Sequence, residues 1–342
     1  MELEKKIKSE IFSNKKEIRL DYFINNVLFK KDGYYLNQRP VGKNYDFITS
    51  PEISQIFGEI IGLYFYYFWK NNIEKTFNLI ELGPGNGTLF MDIAKVLENF
   101  PNFFNKAKIS FIEKNKTLIK SQKKNIYQKY NFQISWLQNI NFKSSKPSII
   151  YSNEFFDCFP VRQFLLKKSW FEKYVNFDQL ENRLYFTEKL IKNKKLLLLL
   201  SNYKDQKILE LSNDRNKYFE KICKFIKKNG GLFFTIDYGY FKNINNFTLQ
   251  AIQGHKFSHI FDSIGKTDIS SHVNFADLLN IANDNNLKIE ECCTQREFFI
   301  KYGILEREKN LPNSKNISKD VDRLINQNDM GSLFKCLIVS NF

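Results

Sequence analysis

The chain has 342 residues, 43% of them hydrophobic and 26% charged, with a formal net charge of +15. That length and apolar content support a large core, in one elaborated domain or a domain with a cap, and the low Gly and Pro counts exclude a disordered or fibrous chain. The charge excess is lysine spread along the whole sequence beside abundant Asn, Ile and Phe, the bias of an AT-rich genome, so nucleic acid is not the expected partner.

Five cysteines (Cys158, Cys223, Cys292, Cys293, Cys336) form no CxxC pair and point to free thiols in a reducing, cytoplasmic setting. His255, His259 and His272 lack the spacing of a metal site, and no metal is expected. The start, Met1 to Lys6, carries both signs of charge, unlike a secretory signal or an Arg-rich transit peptide. The most apolar runs, Ile60–Trp69 and Leu196–Leu200, fall short of the ~20 residues that span a bilayer.

Residues 1–76 read as a helical N-terminal region packing on the site that follows. Ile7, Ile11, Ile18 and Tyr22 recur at helical spacing until Lys31-Asp32-Gly33 breaks the run. Thr49-Ser50-Pro51-Glu52 is a helix start, with a hydroxyl N-cap, a proline in the first turn and an acid behind it. The helix is predicted to run to about Trp69, and Gly58 and Gly62 on one face permit close packing. Its free N–H groups at Thr49 and Ser50 suit a ligand carboxylate.

Residues 77–342 read as a nucleotide-binding α/β domain. The apolar run Phe77–Leu82 predicts a buried strand, Gly83-Pro84-Gly85-Asn86-Gly87 a turn, and Leu89, Ile93, Val96 and Leu97 a helix. The turn spaces its glycines G-x-G-x-G, not the G-x-G-x-x-G of a dinucleotide site, which argues against NAD. Glu81 inside the strand end would repel a pyrophosphate but suits a cationic or amino-bearing ligand. This stretch resembles motif I of class I S-adenosylmethionine (SAM) methyltransferases and makes Glu81, Gly83, Pro84, Gly85 and Gly87 cofactor-binding candidates. Lys108–Glu113 predicts a second strand, and Glu113 lies somewhat beyond the ~20-residue spacing at which an acid accepts both ribose hydroxyls. After a third strand at Phe132–Trp136, Leu137 or Gln138 falls near an adenine.

A fourth strand, Ser148–Ser152, leads into Asn153, Glu154 and Asp157, two carboxylates and an amide at the sheet end where ligands of such folds bind. Residues 162–211 break the βα rhythm and read as an inserted β-rich cap or arm, a possible homodimer contact. A helix at 213–228 and a strand at 232–236 follow. Residues 240–274 read as a long irregular functional loop. Helix, strand, helix and strand follow at 275–282, 288–293, 295–305 and 333–339.

Several stretches taken together resemble the MidA family of SAM-dependent methyltransferases: Val41 to Ser54, Glu81 to Leu89, Asn153 to Asp157 with Pro160-Val161, and Asp237-Tyr238-Gly239. Gln253 to Lys256, Asp268 to Phe275, Thr294 to Arg296 and Asp329 to Gly331 complete the set. The resemblance covers nearly the whole chain. It implies a Rossmann-like class I fold with a mostly parallel seven-stranded sheet, SAM as cofactor, and methylation of a protein arginine, as in the family's mitochondrial complex I assembly member. Departures are Asn86 where the family often has Arg, Asp157-Cys158-Phe159-Pro160 for Asp-Ala-Leu-Pro, and Ile264-Gly265-Lys266-Thr267-Asp268 for Pro-Gly-x-x-Asp.

Glu154 and Asp157 are the expected acceptor clamp, since carboxylates hold a guanidinium by paired hydrogen bonds and localise its charge. Asn153 is expected to orient the acceptor or the cofactor's amino acid end. Tyr45, His255, Asp268 and His272 are substrate-binding candidates. The alternatives are a non-catalytic SAM-binding assembly factor and a methyltransferase acting on nucleic acid or a small molecule.

Overall fold

Seven strands form the central sheet of the computed structural model, which describes residues 2–14, 16–37, 49–140, 143–203, 205–242, 244–311 and 315–342. They are β1 (Phe77–Leu82), β2 (Ala107–Ile112), β3 (Ile134–Leu137), β4 (Ser148–Asn153), β5 (Gly231–Tyr240), β6 (Lys288–Thr294) and β7 (Phe334–Ser340). Their spatial order is β6-β7-β5-β4-β1-β2-β3. β1 to β5 run parallel, and β7 is antiparallel to both β5 and β6. A two-residue strand, Val273–Asn274, joins the end of β5 in parallel. This is the expected mostly parallel α/β sheet. Its central strands are buried along almost their whole length because helices cover both faces. The strand order reverses between β1 and β4, and that switch point opens the crevice used below.

On one face, the helix Gln55–Asn72 packs against Thr88–Leu97, the helix that leaves the glycine turn. Gly58 and Gly62 do permit the predicted close contact. A Cβ at Gly58 would lie 2.5 Å from Asp92 Cβ, and one at Gly62 would lie 3.2 Å from Ile93 Cα. The helices Asn213–Asn229 and Phe275–Asp284 cover the other face.

The predicted helix from Thr49 or Ser50 to Trp69 is two helices, Ser50–Ile53 and Gln55–Asn72. Ser54 is extended between them, and its hydroxyl, not that of Thr49, caps the longer helix through the Ile56 N–H. The segment 295–305 also divides, at Gly303, whose φ is +89°.

Over 162–211, strands Arg162–Leu166, Trp170–Asp178, Arg183–Leu190 and Ile208–Leu211 form an antiparallel sheet. Ile18–Arg19 adds to it by pairing with Val175 and Tyr174. Phe23, Ile24 and Val27 of the N-terminal helix Leu20–Phe29 share a core with Val175, Leu184, Ile264 and Ile269. Within the segment 240–274, Gln250–Gln253, Lys256–Ser258 and Asp268–Ser270 form a three-stranded antiparallel sheet. Gly254 and His255, both at positive φ, make the two-residue turn of its hairpin. No helix among the described residues is long and apolar enough to cross a membrane.

Candidate cofactor and acceptor site

A cavity of about 370 Å³ opens beyond the carboxyl ends of β1, β2 and β4, within the range of small-molecule sites. One wall is the glycine turn. Gly83 and Gly87 hold φ of +61° and +81°, which side chains rarely adopt. A Cβ on Gly83 would stand 2.9 Å from the Phe155 ring, so the turn can lie under the β4 loop only if that residue is glycine. Gln122, fully buried, ties this wall together. Its Nε2 donates to Gly85 O at 2.8 Å, and its Oε1 accepts from Trp136 Nε1 at 2.8 Å. Glu113 Oε1 accepts the backbone N–H groups of Lys114 and Asn115, both at 2.8 Å, which fixes the carboxylate at the end of β2. Burial raises its pKa. Glu81 is buried against the Tyr151 hydroxyl, which donates to it at 3.0 Å, and burial pushes its pKa up to about 8.

The opposite wall follows β4. Glu154 sits at φ +49°, and its N–H donates to Ile236 O at 2.9 Å. Its Oε1 accepts the Ser50 N–H at 3.2 Å and Asn153 Nδ2 at 2.9 Å. Burial, with the charge of Asp157 beside it, pushes Glu154 up to about 8. Asn153 Oδ1 is buried with no partner among the described residues. Burial also raises Asp157, against the Tyr238 hydroxyl, which donates to its Oδ2, and the charge of Arg215.

Asp237 is the anchor beneath this wall. Its Oδ2 accepts the N–H groups of Phe155, Phe156 and Asp157 at 3.1, 2.8 and 3.3 Å, and its Oδ1 that of Tyr238 at 3.0 Å. Burial, then the neighbouring Asp157 and Glu154, hold its pKa well above the usual carboxylate range. Arg215, also buried, donates to Phe156 O at 2.9 Å and Ser271 Oγ at 3.0 Å.

Of the predicted residues, Thr49, Glu81, Gly83, Pro84, Gly85, Glu113, Gln138, Asn153, Glu154 and Asp157 line the one cavity. Gly87 stands behind it as the N-cap of Thr88–Leu97. The Ser50 N–H is occupied by Glu154, so it is not the free donor for a ligand carboxylate that the sequence suggested. Leu137 is exposed and off the cavity; Asn139 lines it instead. His255 is at the exposed tip of a hairpin and is not among the lining residues. Asp268 is buried behind the wall, accepting the hydroxyl of Tyr35, a lining residue, at 2.7 Å. His272 is half-buried and not among the lining residues, its ring edge-on to Tyr238 at 5.5 Å. Tyr45 lies outside the described residues.

Sequence reasoning missed Gln122, Tyr35, Arg215 and the cavity-lining Glu52, and gave Asp237 no role. Asp237 had a signal, an acid at the end of a buried strand. Gln122 had none, being one polar residue on a predicted helix.

Residues 60–293 match the model of a family of S-adenosyl-L-methionine-dependent methyltransferases. The chain belongs to that family of SAM-dependent enzymes, and the resemblance read from its motifs is borne out. Among curated relatives, it is 28% identical over 339 residues to protein arginine methyltransferase NDUFAF7, mitochondrial, of Danio rerio, covering 90% of this chain and 80% of that protein. The Homo sapiens protein of the same name is 28% identical over 334 residues, covering 88% and 75%. Their mitochondrial names lend the cytoplasmic expectation no support. In fold, the chain is similar to a Burkholderia thailandensis structure bound to S-adenosyl-homocysteine (SAH), with a TM-score of 0.86, 19% identity and coverage of 99% and 92%.

Proposed function

We propose that this enzyme methylates the guanidinium of an arginine in a protein, with Glu154 as the principal acceptor-holding group. The carrying observation is the acceptor-rich lining of the cavity. Among the described residues, Glu52, Glu81, Glu113, Glu154, Asp157 and Asp214 line it against a single Lys114, in a chain whose net charge is +15. A wall of acceptor oxygens calls for ligands rich in donors and positive charge.

The residues fit SAM. The glycine turn leaves space where a side chain would stand, Glu113 suits a ribose diol, and Glu81 suits an ammonium group. When bound, SAM supplies an electrophilic methyl group. The chain supplies alignment and exclusion of water. Asn153 Oδ1, buried without a donor among the described residues, and Glu154 suit the N–H groups of one guanidinium. Holding the charge at one edge leaves another nitrogen nucleophilic, and Glu154 takes the proton that nitrogen releases as it gains the methyl. Asp157, occupied by Tyr238, is better suited to shape this wall than to grip the acceptor. The names of the curated relatives support the arginine reading. The complex I subunit implied by the MidA resemblance is the first acceptor to test, and a homodimer through 162–211 is a separate question for sedimentation.

The test is transfer of labelled methyl from SAM to complex I subunits, with the site located by mass spectrometry. Label on an arginine is expected. Label on nucleic acid or a small molecule, with proteins unlabelled, overturns the reading.

A further inference from the structure

The short segment Thr49–Ser54 touches both walls of the cavity, and the two contacts are two residues apart. The Ser50 N–H holds Glu154 Oε1 at 3.2 Å. Glu52 Oε1 accepts the Thr88 hydroxyl at 2.7 Å and Asn86 Nδ2 at 3.2 Å, so it grips the glycine turn and the first residue of the helix behind it. Thr49, Pro51 and Glu52 themselves line the cavity between these contacts.

The chain between the contacts is stiff. Pro51 fixes one φ, and the Glu52 N–H closes a turn onto Thr49 O at 2.9 Å. Downstream, the Ser54 hydroxyl fastens the segment to the buried helix Gln55–Asn72. That helix also packs through Gly58 on Thr88–Leu97. A shift of the glycine turn therefore drags Glu52, and a shift of Glu52 carries the Ser50 N–H that sets the Glu154 carboxylate. Glu52 also places a negative charge at the N-terminal end of Thr88–Leu97, where the helix dipole favours it.

We infer that Glu52 is a positioning residue that couples occupancy of the cofactor turn to the placement of the acceptor carboxylate. The inference rests on the reading of Glu154 as the acceptor-holding group, but not on arginine being the acceptor. Sequence alone assigns Glu52 only to a helix's first turn. Its partners, 34 and 36 residues along the chain, give it the second role.

The experiment is hydrogen–deuterium exchange of the full chain with and without SAH, on wild type, Glu52→Ala and Glu52→Gln. In the wild type, SAH is expected to slow exchange in the glycine turn, in residues 49–54 and in residues 153–157. In Glu52→Ala, protection is expected to stay in the turn and be lost from the other two segments. SAH affinity should fall about tenfold, and turnover at saturating SAM should fall by a further about tenfold. Glu52→Gln keeps a carbonyl for the Thr88 hydroxyl and should recover most of both. Glu52→Ala that still protects all three segments, or that weakens SAH binding with wild-type turnover at saturation, overturns the coupling. A wild type that shows the exchange pattern yet methylates no arginine would overturn the substrate assignment and leave the coupling standing.

Discussion

The two walls of the cavity are built on opposite plans. On the glycine-turn side, polar groups are matched: Gln122 bridges Gly85 and Trp136, and Glu113 is pinned by two N–H groups. On the β4 side, Glu154, Asp157 and Asp237 crowd together in burial, Glu154 holds a left-handed backbone, and Asn153 Oδ1 has no described donor. Apart from Glu81, whose pKa burial also pushes up to about 8, the first wall is finished before a ligand arrives. The second is finished by its ligand, and a cation with several donors is what completes it. Strain and unmet polar groups gather where chemistry is done, and the matched wall supplies the rigidity that tolerates them.

The sharpest way to break the contrast is to remove the floor of the β4 wall. Asp237→Ala leaves four backbone N–H groups without their acceptor. At least about 3 kcal/mol of stability should be lost, read by urea denaturation. A variant as stable as wild type would show that the loop holds itself. Next, Glu154→Gln keeps size and most hydrogen bonding. Methylation should fall at least about a hundredfold, nearly 3 kcal/mol of transition-state stabilisation. SAH affinity by calorimetry should stay within a few-fold, and full-rate transfer would remove Glu154 from the chemistry. On the matched wall, Glu113→Ala should weaken SAH binding about tenfold through lost ribose bonds, with the fold intact by circular dichroism. An unchanged dissociation constant would make Glu113 merely structural.

The smallest effect is in pH. Glu154 rises from 4.5 to about 8 in the folded chain, so the folded state holds more protons than the unfolded one between those values. Its contribution to stability is complete at low pH and is lost as pH rises through about 8. Ligand-free wild type should lose stability relative to Glu154→Gln from about pH 5 to 8, measured by parallel urea melts. A difference that grows the other way would contradict the buried, protonated Glu154. Over the same window kcat/KM should climb as that proton leaves.

The same contrast governs what the sequence revealed. The glycine turn, Glu81 and Glu113 were legible because an apolar strand, a turn and an acid at a known spacing are local signals. Asn153, Glu154 and Asp157 were legible by position at a strand end. Glu52 and Gln122 were not, since their meaning lies in partners brought by other elements. His255 misled because Gly254-His255 was read as a motif when its backbone serves a hairpin. Leu137 misled because a strand end fixes position to within a residue or two, and here the cavity takes Gln138 and Asn139. Ile18–Arg19 is too short for any periodicity to announce it as a strand.

That short strand has a consequence for synthesis. Its partners, Val175 and Tyr174, leave the ribosome only after β1 to β4 have emerged. Until then Phe23, Ile24 and Val27 lack much of the surface that later covers them. Until Val175 and Tyr174 are made, the nascent chain carries an incompletely covered apolar helix, a state prone to self-association and suited to chaperone capture. Residues 18–27 are thus made well before the strands that complete their surroundings.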